Sequence, residues 1–172
     1  MKETAVWGIH AGRTSEAENL FFKKNVIAIG WEQMGDLSKI KPNREAFRNA
    51  AVEAYPDKKP GAIPNLAGQP FRFLHEMKIN DIVIYPSKMN RKVYIGKIVG
   101  DYIYNLSFEK SYPHRRTVKW IKSFPRAHFT QKALYEIGSA ISLFQVKNYA
   151  YEFLDALEGK QSQKAFGSGL PI

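Results

Sequence analysis

Residues 82–121 read IVIYPSKMNRKVYIGKIVGDYIYNLSFEKSYPHRRTVKWI, and this stretch decides the fold. It contains runs of β-branched and aromatic residues, separated by Gly, Asn and Pro, at 82–85, 93–99, 102–106 and 117–121. Short runs of this composition between turn residues are typical of consecutive β-strands. The stretch therefore predicts an antiparallel sheet or a small barrel.

The segments before this stretch predict two more strands with a helix between them. Residues 5–10 and 26–29 are rich in β-branched and apolar residues, which favours strands. Ser15 and Glu18 have the spacing of a capping box, which predicts a helix that begins there and continues to Lys24. The chain should therefore contain about six strands.

Further helices are predicted on both sides of the stretch. Asn43 is placed to cap a helix over 44–54, and the segment 62–76 favours another helix. Thr130 is placed to cap a third, and apolar residues recur at helical spacing over 146–157. The sequence therefore predicts an α+β fold.

The composition changes at the C-terminal end. Residues 159–172 are rich in Gly, Ser, Gln and Lys, which predicts a flexible tail or linker that a further domain would follow. A chain of 172 residues has the size of one ordinary domain. We therefore expect a single domain over residues 1–158.

The positive charge is concentrated in one quarter of the chain. The net charge is +10, and residues 88–132 contain 11 of the 26 Lys and Arg but only two of the 16 Asp and Glu. Aromatic residues lie among these cations: Tyr94, Tyr102, Tyr104, Tyr112 and Trp120. Cations bind phosphates and aromatic faces stack on bases, so nucleic acid is the expected partner. The alternative is that the basic surface serves only solubility.

Other classes of protein are disfavoured. The chain has no Cys, which excludes thiol catalysis, disulfides and thiolate zinc sites, and permits a reducing compartment. No segment approaches the roughly 18 apolar residues of a membrane span. We therefore expect a cytoplasmic protein with no membrane partner.

Catalytic motifs are weak. His75, His114 and His128 lack metal-ligand spacing, and neither a phosphate-binding glycine loop nor a nucleophilic serine elbow is present. Asp57 and Glu158 stand in fragments that resemble a PD-(D/E)xK nuclease motif, but about a hundred residues separate them. We expect no enzyme, no metal and no cofactor. A small nuclease that uses these two acids is the third-ranked hypothesis.

Three segments carry a resemblance to a known family. They are a strand with its capped helix at 5–26, the turn at 78–83, and the strand at 116–121 that precedes a helix. Together they resemble the EVE and YTH branch of the PUA-like superfamily, which are small barrels that bind modified bases. The resemblance implies an α+β fold with a PUA-like barrel of about six strands surrounded by helices. Asn80 stands where related domains often have Gly, and Asn also accepts the left-handed backbone conformation.

Two shorter segments narrow the resemblance. Residues 28–38, which include Gly30-Trp31 and Gly35-Asp36, and residues 137–140 are similar to the N-terminal sensor domains of Mrr-type and related restriction proteins. This resemblance implies a domain that reads a modified base in double-stranded DNA and leaves cleavage to a fused or partner nuclease or motor domain in phage defence. The alternative is an RNA-binding module that reads modified or single-stranded RNA.

A base-reading domain of this kind would flip the modified base into an aromatic pocket. Trp31 follows a strand beside Gly and is the favoured wall, with core packing as its alternative. Trp7 and the two tyrosines line the pocket or pack in the core, and Asp36 and Ser38 bind the base or only form a turn. The candidate pocket residues are Trp7, His10, Gly12, Trp31, Asp36, Ser38, Tyr102 and Tyr104. The candidate phosphate-binding residues, which alternatively form a solvated rim, are Arg91, Lys92, Arg115, Arg116 and Lys119.

Overall fold

One sheet of six strands, curled into a half barrel, organises residues 4–160, the part of the chain that this computed structural model describes. The strands are β1 (Val6–Ile9), β2 (Val26–Ile29), β3 (Ile82–Pro86), β4 (Lys92–Tyr104), β5 (His114–Pro125) and β6 (Leu143–Gln145). They lie in the order β2-β5-β4-β3-β1-β6, in which β1 and β3 are parallel and the other neighbours are antiparallel. The α+β class and the count of about six strands are confirmed.

Helices cover both faces of the sheet. The α-helices are α1 (Glu18–Lys24), α2 (Arg44–Ala54), α3 (Ile63–Phe71), α4 (Gln131–Ile137) and α5 (Ala150–Leu157). Short 3₁₀ segments lie at Glu32–Met34, Leu37–Lys39, Pro60–Ala62 and Arg126–His128, and a π-helical turn at Arg72–Glu76 extends α3. None of the helices in residues 4–160 is long and apolar enough to cross a membrane. Residues 161–172, most of the predicted tail, lie outside the described residues.

Two of the predicted helix caps are confirmed. The Asn43 side chain accepts a hydrogen bond from the Ala46 N–H at 2.7 Å, and the Thr130 hydroxyl accepts one from the Ala133 N–H at 3.2 Å. Both side chains satisfy donors that the first turn of a helix leaves unpaired. The sequence therefore located the starts of α2 and α4 through their chemistry.

The predicted capping box is wrong. Helix α1 begins at Glu18, but no side chain caps it. Ser15 has φ 64° and its hydroxyl accepts a bond from the Lys88 N–H at 2.9 Å. The Glu18 carboxylate instead accepts bonds from the hydroxyl groups of Tyr85, at 2.7 Å, and Ser87. Both side chains therefore connect the start of α1 to the end of β3.

The long hairpin formed by β4 and β5 differs from the predicted strands. Residues 93–99 and 102–106 belong largely to one strand, β4, because Gly100 and Asp101 form an irregularity in the pairing with β5 rather than a turn. A bulge of this kind increases the local twist of a strand. It contributes to the curl of the sheet.

The centre of the sheet is buried on both faces. Along β3, Val83 and Tyr85 pack with α1 residues, whereas Ile82 and Ile84 pack with residues of α4 and α5. This alternation follows from the strand period of two residues. Phe153 of α5 belongs to the second core, which confirms that the terminal apolar stripe is core.

The Asp81 carboxylate joins β1 to β3. Asp81 is 6% exposed and accepts hydrogen bonds from the Trp7 Nε1–H and the Lys78 N–H, both at 2.9 Å, and from the Ala5 N–H at 3.3 Å. Asn80 before it has φ 82°, the left-handed conformation that Asn was expected to adopt. Because the two strands are far apart in the chain, this carboxylate helps to set their parallel register.

We expect Asp81→Ala to lower the free energy of unfolding by about 3 kcal/mol, because it leaves buried N–H donors unpaired. Urea denaturation measures this loss. In a Trp7→Phe background the same substitution should cost less, since one donor is already absent. Equal costs in the two backgrounds would contradict this role for the Trp7–Asp81 hydrogen bond.

Candidate functional site

A cavity of about 650 Å³ lies where the C-terminal ends of β1, β2 and β3 meet. We call it the strand-end cavity, and its walls come mainly from the segments 10–13, 29–31, 86–91 and 138–142. Because β1 and β3 are parallel and β6 is antiparallel to β1, the loops after β1 and β3 and the loop before β6 lie at the same edge. The topology therefore brings distant parts of the chain to one site.

Buried side chains hold these loops in place. Gln69 of α3, 4% exposed, accepts hydrogen bonds from the Ser142 and Leu143 N–H groups, both at 3.0 Å. The Ser87 hydroxyl accepts bonds from the Met89 N–H at 3.1 Å and the Asn90 N–H at 3.2 Å. Together with the Ser15 and Glu18 contacts, these bonds fix the walls of the cavity.

Positive charge dominates the strand-end cavity. Five cationic side chains line it: Arg13, Lys58, Lys88, Arg91 and Arg126. Within residues 4–160, no Asp or Glu lines the cavity and none of these five cations forms a salt bridge. Burial, together with the nearby charge of Arg91, lowers the pKa of Arg126. The cavity is therefore suited to an anion, which would relieve the mutual repulsion of these groups.

Aromatic rings share the same cavity. Trp31, Tyr55 and Tyr112 line it, and all three are half-buried, so part of each ring stays accessible. Trp31 has the left-handed conformation, with φ 51° and ψ 36°, and its Nε1–H donates to the Leu66 carbonyl at 2.8 Å. The indole is thus fixed in orientation before any ligand arrives.

Tyr112, another aromatic residue of the cavity wall, is held in place by Glu16. Its hydroxyl donates to the Glu16 carboxylate at 2.6 Å. Partial burial opposes ionisation of Glu16, but bonds from Tyr112 and Thr14 lower its pKa to about 2. Gly12 has φ 82°, and a Cβ there would lie 2.2 Å from Glu16 Oε2 and 2.4 Å from the Tyr112 hydroxyl. Glycine is therefore required at position 12 for this contact.

His114 supports Trp31 through a hydrogen bond to its backbone carbonyl. The buried His114 Nε2–H donates to the Trp31 carbonyl at 2.9 Å, because a carbonyl can only accept. In the neutral ring Nδ1 then accepts from the Tyr102 hydroxyl at 2.8 Å, and that oxygen accepts from the Leu37 N–H at 3.0 Å. Every polar atom of this chain of bonds is satisfied when His114 is neutral.

His10 presents an unused acceptor. Its Nε2–H donates to the Ser139 carbonyl at 2.8 Å, so Nδ1 carries the lone pair of the neutral ring. Nδ1 is buried and has no partner within residues 4–160. Burial lowers the pKa of His10, and the charge of Lys88 acts in the same direction. A buried polar atom that no protein group pairs is rare, and this one belongs to a residue of the cavity wall.

The structure brings together three of the eight candidate pocket residues. His10, Gly12 and Trp31 line the strand-end cavity. Asp36 and Ser38 do not line it, because the Asp36 carboxylate caps the segment Leu37–Lys39 through the Ser38 N–H at 3.0 Å. The remaining three also lie elsewhere: Tyr102, Tyr104 and Trp7.

The two tyrosines support the site indirectly, whereas the prediction that Trp7 lines the pocket is wrong. The rings of Tyr102 and Tyr104 lie 5.9 Å and 5.7 Å from the His114 ring, so both contact the residue that supports Trp31. Trp7 is 2% exposed and donates to Asp81, which makes it a core residue without a face for a ligand. The strand pattern did not reveal that both faces of β1 are covered.

The prediction is also wrong for two of the five candidate phosphate-binding residues. Arg115 and Arg116 are each 3% exposed. Arg115 donates to the carbonyls of Tyr112, Ser107 and Glu109, and Arg116 donates to those of Gly100, Phe73 and Met77. Their guanidinium groups are used by backbone carbonyls inside the protein. Arg91 lines the strand-end cavity, whereas Lys92 and Lys119 are exposed outside it.

Six charged or aromatic cavity residues were not among the sequence candidates: Arg13, Tyr55, Lys58, Lys88, Tyr112 and Arg126. Lys88, Tyr112 and Arg126 belong to the basic segment 88–132, so composition had already marked their region. Tyr55 and Lys58 come from the loop between α2 and α3, and only the tertiary fold places them at the cavity. No group of three His, Asp or Glu side chains in the described part of the chain is placed to bind a metal ion.

The support of Trp31 should depend on pH. Burial lowers the pKa of His114 below its usual value of about 6.5, although the Trp31 carbonyl and Asp36 oppose this shift. The unfolded chain then binds more protons than the folded protein as the pH falls below about 6.5. The stability that the neutral His114 ring contributes is therefore complete above that pH and is lost as the pH falls. His10 and His75, whose pKa values are also lowered by burial, act in the same direction.

We therefore expect the free energy of unfolding, measured with urea, to decrease between about pH 7 and pH 5. The slope should be smaller in a His114→Gln variant, and NMR titration of the His114 ring should give a midpoint below the usual one. An unchanged slope in the variant, or a midpoint at or above the usual value, would contradict the neutral hydrogen-bonded ring.

A comparison with protein families gives a match over most of the chain. The model of a family described as a domain of unknown function, DUF8426, matches residues 7–143. This span includes every residue that lines the strand-end cavity, from His10 to Ser142. A search of curated proteins finds no match to this chain. Because the family model covers most of the 172 residues, the chain belongs to the DUF8426 family.

Proposed function

We propose that this protein is a modified-base-reading DNA-binding domain, of the PUA-like type with EVE and YTH relatives, that flips a base into the strand-end cavity. One observation carries the proposal: five cationic side chains and three aromatic rings share a single cavity that no carboxylate lines within residues 4–160. A nucleotide offers the complementary pair of features, an anionic phosphate and a flat base.

The size of the cavity supports this assignment. Small-molecule pockets have volumes of roughly 300–1,000 Å³, and the strand-end cavity, at about 650 Å³, lies in the middle of that range. The flipped base stacks on Trp31, whose indole is already held by Leu66 and by the His114 network. Arg13, Arg91 and Arg126 bind its flanking phosphates.

Discrimination between a modified and an unmodified base rests on small differences in binding free energy. Burial of one added methyl group is worth roughly 1 kcal/mol at about 25 cal/mol per Å². That margin corresponds to only about a fivefold preference. A fixed aromatic wall sharpens it, since a pocket that does not adjust rejects a base of the wrong shape.

The proposed domain binds and does not cut. It acts in the cytoplasm as the sensor of a restriction or phage-defence protein, and a nuclease or motor domain in the same protein or in a partner cleaves the DNA. RNA that carries a modified base is the alternative ligand, because the same cavity chemistry accepts a ribonucleotide.

The first test is fluorescence anisotropy with matched DNA duplexes. Each carries methylated adenine, methylated cytosine, hydroxymethylated cytosine or no modification, and the matching RNA is measured at the same salt concentration. We expect one modified duplex to bind at least about tenfold more tightly, which corresponds to about 1.4 kcal/mol. Trp31→Ala should abolish this preference, and Trp31→Phe should retain most of it. Equal affinity for all duplexes would contradict base reading.

The second test concerns the cations. Arg91→Ala should weaken binding to every duplex and reduce the slope of log affinity against log salt by about 0.9, because one phosphate contact is lost. Lys23→Ala is the matched control, since Lys23 is exposed in the last turn of α1 and does not line the strand-end cavity. Identical slopes for the two variants would place the phosphate contacts elsewhere. Tighter binding of the modified RNA would favour the alternative ligand.

A further inference from the structure

A second concavity, of about 1,090 Å³, adjoins the strand-end cavity. We call it the α4 groove, because residues of α4 and the segment that follows it form most of its lining. It shares four residues with the strand-end cavity: Arg126, Gly138, Ser139 and Ala140. The two sites therefore adjoin each other, and three of the four shared residues have small side chains or none.

An exposed aromatic ring lies in the α4 groove. Tyr135 is 88% exposed, and no other aromatic ring in residues 4–160 packs against it. Lys132 precedes it by three residues, so both project from one face of α4. The opposite face of α4 packs in the core through Ala133 and Ile137. Tyr135 therefore contributes nothing comparable to the core.

The groove is positively charged. Its cations are Arg126 and Lys132, and Glu136 is the acid that lines it within the described residues. The Glu136 carboxylate accepts hydrogen bonds from the N–H groups of Lys147 and Asn148, both at 2.9 Å, and Tyr149, at 2.8 Å. Those three donors use the carboxylate oxygens, so Glu136 is engaged by the loop that it holds.

Arg126 is the cation common to both sites. It lines the strand-end cavity and the α4 groove at once, on the short segment Arg126–His128 that follows β5. Two adjacent nucleotides of one strand are joined by a single phosphate. A cation that lines two adjoining concavities is where that phosphate would be bound.

We propose that the α4 groove binds a second nucleotide of the same strand, with its base stacked on Tyr135 and the phosphate between the two nucleotides bound by Arg126. This inference rests on the proposed function, and it names the class of substrate. The ligand is nucleic acid in which the modified nucleotide and one neighbour are both unpaired. A single strand or a mismatched site then binds more tightly than a perfect duplex, because no second base pair has to open.

The test uses single-stranded DNA that carries the modification preferred in the duplex series, or the unmodified sequence if none is preferred. Tyr135→Ala should weaken binding by at least about fivefold, the lower end of base–aromatic stacking. Tyr135→Phe should bind like the wild type, because the ring remains. The high exposure of Tyr135 makes loss of folding an unexpected cause, and thermal unfolding of both variants checks this.

A second measurement identifies the stacked base. An abasic site placed on either side of the modified nucleotide should weaken wild-type binding on one side only. The same abasic site should cause no further loss in Tyr135→Ala, since the interacting ring is already absent. Additive losses from the variant and the abasic site would overturn the inference.

The outcomes separate the two proposals. If Trp31→Ala abolishes the preference for the modified strand but Tyr135→Ala does not weaken binding, base reading in the strand-end cavity stands and the second nucleotide site is refuted. If neither substitution changes the affinity, both proposals fail. If a perfect duplex binds more tightly than the mismatched and single-stranded forms, the assigned substrate class is wrong.

Discussion

The hydrogen bonds of the Asp81 carboxylate fix β1 beside β3, and the rest of the site depends on that pairing. These two strands are separated by more than 70 residues, so local sequence alone does not set their register. Once they are parallel, their C-terminal ends lie at one edge of the sheet. The loops that carry His10 and Arg91 then meet there, and β6 adds its own preceding loop. The location of the cavity is thus a consequence of strand direction.

Two features of the candidate site oppose the stability of the fold. Arg91 and Arg126 lie near each other without a carboxylate between them among the described residues, and Trp31 adopts a left-handed conformation that a bulky residue rarely takes. Both features oppose local stability, and real proteins retain such violations mainly where a site needs them. The His114 network offsets part of this cost because it holds the Trp31 carbonyl. Such conflicts between local preference and observed structure are concentrated at functional sites.

The sequence predicted much of the fold and less of the site. Asn43 and Thr130 located their helices because a cap is a local interaction, and the 82–121 stretch predicted the sheet through its β-branched and aromatic runs between turn residues. The capping box failed since Ser15 and Glu18 bond to residues some 70 positions away. The same limit applies to the site: Arg116 and Arg91 look alike in sequence, yet backbone carbonyls surround one and a cavity surrounds the other. Burial, which requires the whole fold, decides which cation is free to bind a ligand.

The proposed entry of nucleic acid into the strand-end cavity, with contact to Trp31, can be tested directly at the three indole N–H groups. Each has a different environment, because Trp7 bonds to Asp81, Trp31 to Leu66 and Trp120 to Phe21. In an NMR titration with DNA, we expect the Trp31 indole resonance to shift or broaden while those of Trp7 and Trp120 stay in place. Saturating DNA binding that leaves the Trp31 resonance unchanged would contradict binding in this cavity.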